Sequence, residues 1–391
     1  MTRPMTVPSA RVIHADCLTA LRDMPDASVD AIVTDPPYGL SNTTPAQVAD
    51  TITRWVSGGR EYLPSARGFM GHEWDGFVPP VAVWDECLRV LKPGGHLLAF
   101  AGSRTHDLMT LGIRLAGFEI RDSVAWLYGS GFPKSLDVSK AIDKAAGAER
   151  EAIGPRVYAG GHVQRSSADK LAPPIGTFKR SQDDRVETEP ATDAAREWEG
   201  WGTALKPAFE PVTLARKPLT GTVAANVQEH GTGALNIDAT RIGGPSGRWP
   251  ANVVLDESQA AELDRQSGWS KSPPVGSVAV KQARVGQAAK GDERARVSPN
   301  GHGDSGGASR FMYVAKAPKS ERPVVDGTAH PTVKPLALMR WLVRMVTPPG
   351  GTVLDPFAGS GTTLEAAMLE GFNVTGIERE ADYLPLIQAR I

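Results

Sequence analysis

Thr352-Val353-Leu354-Asp355-Pro356-Phe357-Ala358-Gly359-Ser360-Gly361-Thr362-Thr363 decides how the fold is read. Its first residues are apolar or β-branched and read as a buried strand. Asp355 precedes a proline, which disfavours helix at that residue and marks the strand end. A glycine-rich turn follows, then a helical stretch from Leu364 to Glu370. A second strand, Asn373 to Ile377, ends in Glu378. Glycines let a backbone approach a ligand, and an acidic residue about 20 positions on can hold ribose hydroxyls. Glu378 stands at that distance. The turn is not a P-loop, because no Lys follows Gly361. It is not the full dinucleotide pattern, because Leu364 occupies the third glycine position. Taken alone, the turn leaves a tight left-handed packing turn and a cofactor site both open.

The same kind of strand end recurs near the other terminus, in Ala31-Ile32-Val33-Thr34-Asp35-Pro36-Pro37-Tyr38-Gly39. An apolar run feeds a stiff loop, since Pro36 and Pro37 have fixed φ and no N–H. The loop holds an acidic side chain and free carbonyls in place. The exocyclic amine of adenine or cytosine is a poor nucleophile, because its lone pair is delocalised into the ring. A carboxylate and a carbonyl are both acceptors and can take its two N–H bonds. That favours a tetrahedral nitrogen with its lone pair aimed at an incoming methyl group. Tyr38 can stack on a base that has left the helix. Asp-Pro and Pro-Pro are also common turn punctuation, so a plain strand-to-loop turn is the competing reading.

Strands and helices alternate through the first third. Arg11–Asp16 reads as a strand, and Cys17–Met24 as a helix capped by Asp16. Ser28–Thr34 is the strand that ends at the Asp-Pro-Pro-Tyr loop. Val81–Leu91 reads as an amphipathic helix, His96–Phe100 as a strand, His106–Ala116 as a helix and Phe118–Leu127 as a strand. Such alternation argues for a doubly wound, mainly parallel sheet, with ligands at the carboxyl ends of its strands. Leu40–Pro80 shows no sustained period. It reads as a long loop, either a flap over the site or a surface insertion.

Asp35-Pro36-Pro37-Tyr38 and Asp355-Pro356-Phe357-Ala358-Gly359-Ser360-Gly361-Thr362, in that order, resemble the beta class of S-adenosylmethionine-dependent DNA amino-methyltransferases. His330-Pro331-Thr332-Val333-Lys334-Pro335, followed by a helix, resembles the segment this class places before its cofactor loop. The matching portions are residues 8–128 and 328–391. The resemblance implies a circularly permuted Rossmann-like methyltransferase fold with an antiparallel hairpin. Its expected catalytic residues are Asp35, Pro36, Pro37 and Tyr38. Cofactor binding falls to Asp16, Thr332, Lys334, Asp355, Phe357, Gly359, Ser360, Gly361, Thr362 and Glu378, with Thr332 and Lys334 toward the cofactor's carboxylate. No metal is expected. The reaction implied is methyl transfer to adenine N6 in duplex DNA, with cytosine N4 as the alternative; Asp at position 35 leans toward adenine. A non-catalytic DNA-binding module and an RNA or protein methyltransferase are the remaining classes.

The resemblance also organises the rest of the chain. Residues 1–128 form the catalytic half and 328–391 the cofactor half. The return strand is 209–217, so 129–208 is an insertion in the hairpin. The irregular region 218–327, with part of 129–208, is assigned to target recognition. Within it, Ala234–Asp238, Trp249–Leu255 and Phe311–Ala315 read as strands, and Glu257–Gln266 as a helix. Tryptophans in a polar region usually anchor a loop, which is the first reading of Trp198 and Trp201. Because the sheet is split between the two ends of the chain, the last helix, Asp382–Ile391, should hand over in space to the strand at Arg11.

Composition sets outer bounds. A chain of 391 residues is long enough for two to three domains. The formal net charge is −1, which does not advertise a nucleic-acid partner. From Gln266 to Val325, however, ten Lys and Arg face four Asp and Glu, consistent with a phosphate-binding surface or a solvated loop. No apolar run is long enough to span a membrane. The first residues lack an apolar signal region. Cys17 and Cys87 have no paired spacing, which fits a reducing, cytoplasmic setting. Double-stranded DNA is the expected partner, with a homodimer and a cognate restriction nuclease left open.

Overall fold

The computed structural model describes residues 7–41, 43–65, 73–129, 131, 135–155, 157–158, 162–163, 186–272, 278–279, 296–297, 302–315, 321–325 and 327–391. It divides into two compact units. One comprises Met1–Gly129, Phe209–Val325 and Thr332–Ile391; the other comprises Ser130–Ala208 and Asp326–Pro331.

The first unit is built on a nine-stranded sheet. In chain order its strands are β1 (Ala10–His14), β2 (Val29–Thr34), β3 (Leu91–Phe100), β4 (Glu119–Leu127), β5 (Phe209–Arg216), β6 (Val253–Asp256), β7 (Tyr313–Ala315), β8 (Thr352–Asp355) and β9 (Asn373–Glu378). Their spatial order is β1-β9-β8-β2-β3-β5-β4-β6-β7. Neighbours are parallel except around β5, which runs antiparallel to both β3 and β4. This is the mainly parallel α/β sheet with an antiparallel hairpin that the sequence predicts.

The central strands are apolar on both faces because helices cover both. Along β2 every residue is buried. Ile32 joins a core with Leu97, Leu354, Ile377, Trp84 and Met109. Its neighbours Ala31 and Val33 point the other way, into a core with Leu98, Val353, Trp341 and Leu364. The period of two along a strand makes this division. The first core is supplied by helices Val81–Val90 and His106–Leu115, the second by Leu336–Val346 and Thr362–Leu369.

The two ends of the chain meet in the sheet. β1 pairs in parallel with β9, with Ala10 opposite Val374 and His14 opposite Glu378. The last helix, Leu384–Gln388, is shorter than predicted. It buries Ile387 in the core that also takes Ala10 and Val12.

Several elements differ from the sequence reading. Leu40–Pro80 contains a helix, Pro45–Val56, opened by a reciprocal capping box between Thr44 and Gln47. It buries Trp55, whose Nε1 donates to Tyr62 O at 2.8 Å and whose ring meets Phe77 edge to face at 5.9 Å. Trp55, Phe77 and Val78 thereby anchor the described part of this stretch on the core. Ala234–Asp238 is not a strand, because Asn236 caps a helical turn over Ile237–Thr240. A 3₁₀ turn takes Ala308–Phe311, so β7 starts only at Tyr313. β6 and β7 lie in the region assigned to target recognition, yet both extend the main sheet beyond β4. Much of the basic stretch between Gln266 and Val325 lies outside the described residues.

In the second unit, helix Val138–Ala145 is capped by Asp137. The buried carboxylate of Asp143 accepts from Ala191 N, Thr192 N and Thr192 Oγ, and pairs with Arg150 at 2.8 Å. Trp198 and Trp201 meet edge to face at 5.0 Å. Both are exposed, so they stack on each other instead of anchoring in a core. Residues 164–185, the middle of the expected insertion, lie outside the described residues.

Candidate active site

Three acidic residues singled out in the sequence close three adjacent parallel strands. Asp35 follows β2, Asp355 ends β8 and Glu378 ends β9. Parallel neighbours present their carboxyl ends on one edge, so the fold brings the three together there.

Asp355 is buried at the end of β8, beside β2. Its Oδ1 accepts from Thr34 Oγ at 2.7 Å and from Phe357 N at 3.1 Å. Burial pushes its carboxyl up to about 6, against the pull of the Thr363 and Thr34 hydroxyls and the Phe357 amide. The turn after it is left-handed at Gly359 and Gly361. Gly359 N donates to Glu378 Oε2 at 2.7 Å, and Glu380 N donates to Glu378 Oε1 at 2.8 Å. Those amides fix the Glu378 carboxylate and leave each oxygen a second lone pair. Burial raises the Glu378 carboxyl, with the Glu380 and Gly359 amides opposing. At Gly361 the packing reading has direct support, since a Cβ there would lie 3.1 Å from Ile387 Cα. Ser360 and Thr362 are buried with their hydroxyls 3.3 Å apart. Phe357 is half-buried against the core. Asp16 Oδ1 caps its helix through Leu18 N and Thr19 N. It stands beside the end of β9, where Ala15 N donates to Glu378 O.

The Asp35 loop is held from several sides. Asp75 Oδ1 accepts from Tyr38 N at 2.8 Å and Gly39 N at 2.9 Å. Thr105 Oγ donates to Tyr38 O at 2.6 Å. Gly39 is left-handed, and a Cβ on it would fall 2.7 Å from Val78 N. Pro36 is buried and Pro37 half-buried. The Tyr38 hydroxyl donates to Glu210 Oε2 at 2.9 Å. Burial, with the carboxylates of Asp35 and Glu210 beside it, pushes that phenol well above its ordinary value.

Lys334 is the cation of this cluster. Its Nζ donates to Asp35 Oδ2 at 2.6 Å and lies 3.4 Å from Glu210 Oε2. It also sits 5.2 Å from the ring centres of both Tyr38 and Phe100. Burial works against its charge, but Asp35 and Glu210 more than offset this and hold its ammonium above the usual lysine value. The sequence reading sent Lys334 toward the cofactor's carboxylate; the structure commits its ammonium to Asp35 and Glu210. Thr332, its companion in that expectation, is exposed. The other oxygen of Asp35, Oδ1, is buried without a hydrogen-bond partner among the described residues.

Sequence reasoning passed over Glu210, Asp75 and Thr105. Glu210 falls within the return strand 209–217, where the sequence assigns it no role of its own. Its signal was there in type, an acidic residue at a strand start, but its partner Tyr38 lies 172 positions away. Two carboxylates, of Asp35 and Glu210, face the Lys334 ammonium, and Asp355 and Glu378 close the neighbouring strands, so acidic groups exceed basic ones along this sheet edge. That excess suits a cationic ligand, and Glu378 suits a ribose diol. The donor set fits S-adenosylmethionine.

The family model described as DNA methylase matches residues 29–154 and 179–389, and the chain belongs to this N6/N4 DNA methylase family. The type II methyltransferase M.HindIII of Haemophilus influenzae is 24% identical over 389 residues, covering 94% of this chain and 90% of that protein. The type II methyltransferase M.ScaI of Streptomyces caespitosus is 39% identical over 72 residues, covering 18% of this chain and 24% of that protein. Among solved structures, PvuII DNA methyltransferase, described as cytosine-N4-specific, superposes with a TM-score of 0.46 at 14% identity. That match covers 99% of this chain and 87% of the other. Among the described residues no helix is long and apolar enough to cross a membrane.

Proposed function

We propose that the protein methylates the exocyclic N6 of adenine in duplex DNA, on a base flipped into the site, with S-adenosylmethionine as donor. The observation that carries this reading is Asp35 Oδ1, a buried acceptor at the end of β2 without a partner among the described residues. It stands on the same sheet edge as the glycine-rich turn and Glu378.

When bound, the cofactor supplies an electrophilic methyl group on a sulfonium, so the protein's work is alignment of the acceptor. Asp35 Oδ1 accepts one amino N–H and the Pro36 carbonyl accepts the other. The nitrogen is thereby turned toward tetrahedral geometry with its lone pair free. So held by Asp35 and Pro36, the nitrogen would take the methyl carbon from the bound donor as the carbon–sulfur bond broke, with the electron pair left on sulfur. The methylated amine then sheds one proton, for which Asp35 is the adjacent acceptor. Tyr38 stacks on the base, and Pro37 stiffens the loop. Glu378 holds the ribose, Phe357 and Asp16 flank the adenosine, and the turn Gly359–Thr362 makes room for the methionine part. Residues 218–327, with part of 129–208, carry target recognition.

Adenine is preferred because Asp, not Ser, stands before Pro36-Pro37-Tyr38. The test is transfer of labelled methyl to unmodified duplex DNA, followed by digestion to nucleosides. Label in N6-methyladenine supports the reading, label in N4-methylcytosine moves the target to cytosine, and unlabelled DNA despite cofactor binding rejects it.

A further inference from the structure

The methyl-transfer reading assigns Asp35 but gives no task to the groups behind it. Lys334 Nζ occupies Oδ2 at 2.6 Å, leaving Oδ1 as the open acceptor. Glu210 Oε2 lies 3.4 Å from the same ammonium and takes the Tyr38 hydroxyl at 2.9 Å. The four groups come from three parts of the fold. Lys334 precedes helix Leu336–Val346, Glu210 opens the antiparallel strand β5, and Asp35 and Tyr38 share the loop after β2.

We infer, resting on the methyl-transfer reading, that Lys334 and Glu210 are positioning residues for Asp35. Lys334 orients its carboxylate through Oδ2 and leaves Oδ1 aimed at the amino group. Glu210, tied to Tyr38, moderates Lys334 and couples the carboxylate to the base-stacking ring.

Three features support this assignment. First, a buried ammonium with two carboxylates can orient only if both contacts are kept, and the shorter one goes to Asp35. Second, an acceptor carboxylate with one oxygen clamped has its other oxygen aimed, which restricts where a planar base can place its amine. Third, the contact is charge-assisted and mostly shielded from water, with the Lys334 side chain 8% and that of Asp35 22% exposed, so it acts more strongly than a surface pair. The titratable groups facing the cluster are Tyr38 on the Asp35 loop, Glu210 on β5, Tyr128 after β4 beside Glu210, and Asp355 on β8. No bond is made or broken by Lys334 or Glu210 themselves.

The two partners act on Asp35 with opposite sign, and this gives the test. Single-turnover methylation of duplex DNA at saturating cofactor is measured from pH 5 to 9, with cofactor affinity by calorimetry. Lys334→Met is expected to slow transfer about 100-fold at neutral pH. It should also move the acidic limb of the profile upward by about one pH unit or more. Lys334→Arg should restore the limb to its wild-type place. Glu210→Gln is expected to move the limb to lower pH, since a negative charge beside the pair is lost. Cofactor affinity should stay within about threefold throughout, on the scale of lost uniform binding. A merely disrupted pocket does not shift the limb in opposite directions. If Lys334→Met does not fold, the Glu210→Gln shift decides alone.

An unmoved limb in folded variants would overturn the inference. So would a loss of cofactor affinity in Lys334→Met with normal transfer at saturation, which would return Lys334 to the cofactor's carboxylate. The underlying reading fails separately, if Asp35→Asn methylates at the wild-type rate.

Discussion

Thr34 Oγ donates a 2.7 Å hydrogen bond to Asp355 Oδ1 across 321 positions of sequence. It joins the strand that delivers Asp35 to the strand that delivers the glycine-rich turn. The two halves of the site are thus registered by one buried contact between adjacent strands, β2 and β8. Asp355 is the group through which pH reaches it.

Because burial raises the Asp355 carboxyl to about 6, the folded protein holds this proton more tightly than the unfolded chain does. Its contribution to stability is complete below the ordinary carboxylate value and is lost as pH rises through about 6. Unfolding in urea between pH 4 and 7 should show stability from this group falling with pH, and Asp355→Asn should flatten that slope. Affinity for the cationic cofactor should run the other way, weakening as pH drops below about 6, because protonation removes a negative charge from the site. Calorimetric titration at pH 5 and 7.5 checks this, and Asp355→Asn should abolish the difference.

Tyr38 carries two separable properties, a ring and a hydroxyl. Tyr38→Phe keeps the ring and loses the bond to the Glu210 carboxylate, so transfer should fall by at most about 10- to 100-fold, the scale of one hydrogen bond to a charged group. Tyr38→Ala removes the stacking surface, worth about 1–3 kcal/mol per base. It should weaken DNA binding and lower transfer by a further order of magnitude or more. Equal effects of the two substitutions would show that the ring does not meet the base.

Asp75 satisfies two backbone amides of the catalytic loop at once. In Asp75→Ala both lose their acceptor, at about 1–3 kcal/mol for each group left unsatisfied in the interior. Thermal unfolding should drop accordingly, and the loop should lose its set. Gly39→Ala attacks the same loop from the other side, since its φ is +66° and the added methyl would meet Val78 N. Both variants should lose methyl transfer while retaining cofactor binding, which we propose the glycine-rich turn after β8 supplies.

The parts of the site that were legible in the sequence share a property. Asp35, Asp355 and Glu378 each end an apolar run, so strand pattern and acidic residue are read in one short window. The parts that were not legible depend on pairing across the fold. Glu210 sits at the start of β5, and nothing local distinguishes it from any acidic residue at a strand start. Asp75 acts on amides 36 and 37 positions upstream. The helix Pro45–Val56 had a local signal, the Thr44–Gln47 capping box, but its glycine- and proline-rich surroundings read as loop. For β6 and β7, strands of four and three residues carry too little pattern to reveal that they join the main sheet.

The most direct measurement is the rate of methyl transfer to duplex DNA by Asp35→Ala under single turnover, beside its affinity for S-adenosylmethionine. Loss of the acceptor aimed at the amino nitrogen should cost a factor of about 10³ or more in rate, as removal of one preorganised polar group does at other sites. Cofactor affinity should remain within a few-fold of wild type. Transfer by Asp35→Ala within tenfold of the wild-type rate would contradict the account, because Asp35 would then not be the group that holds the amine.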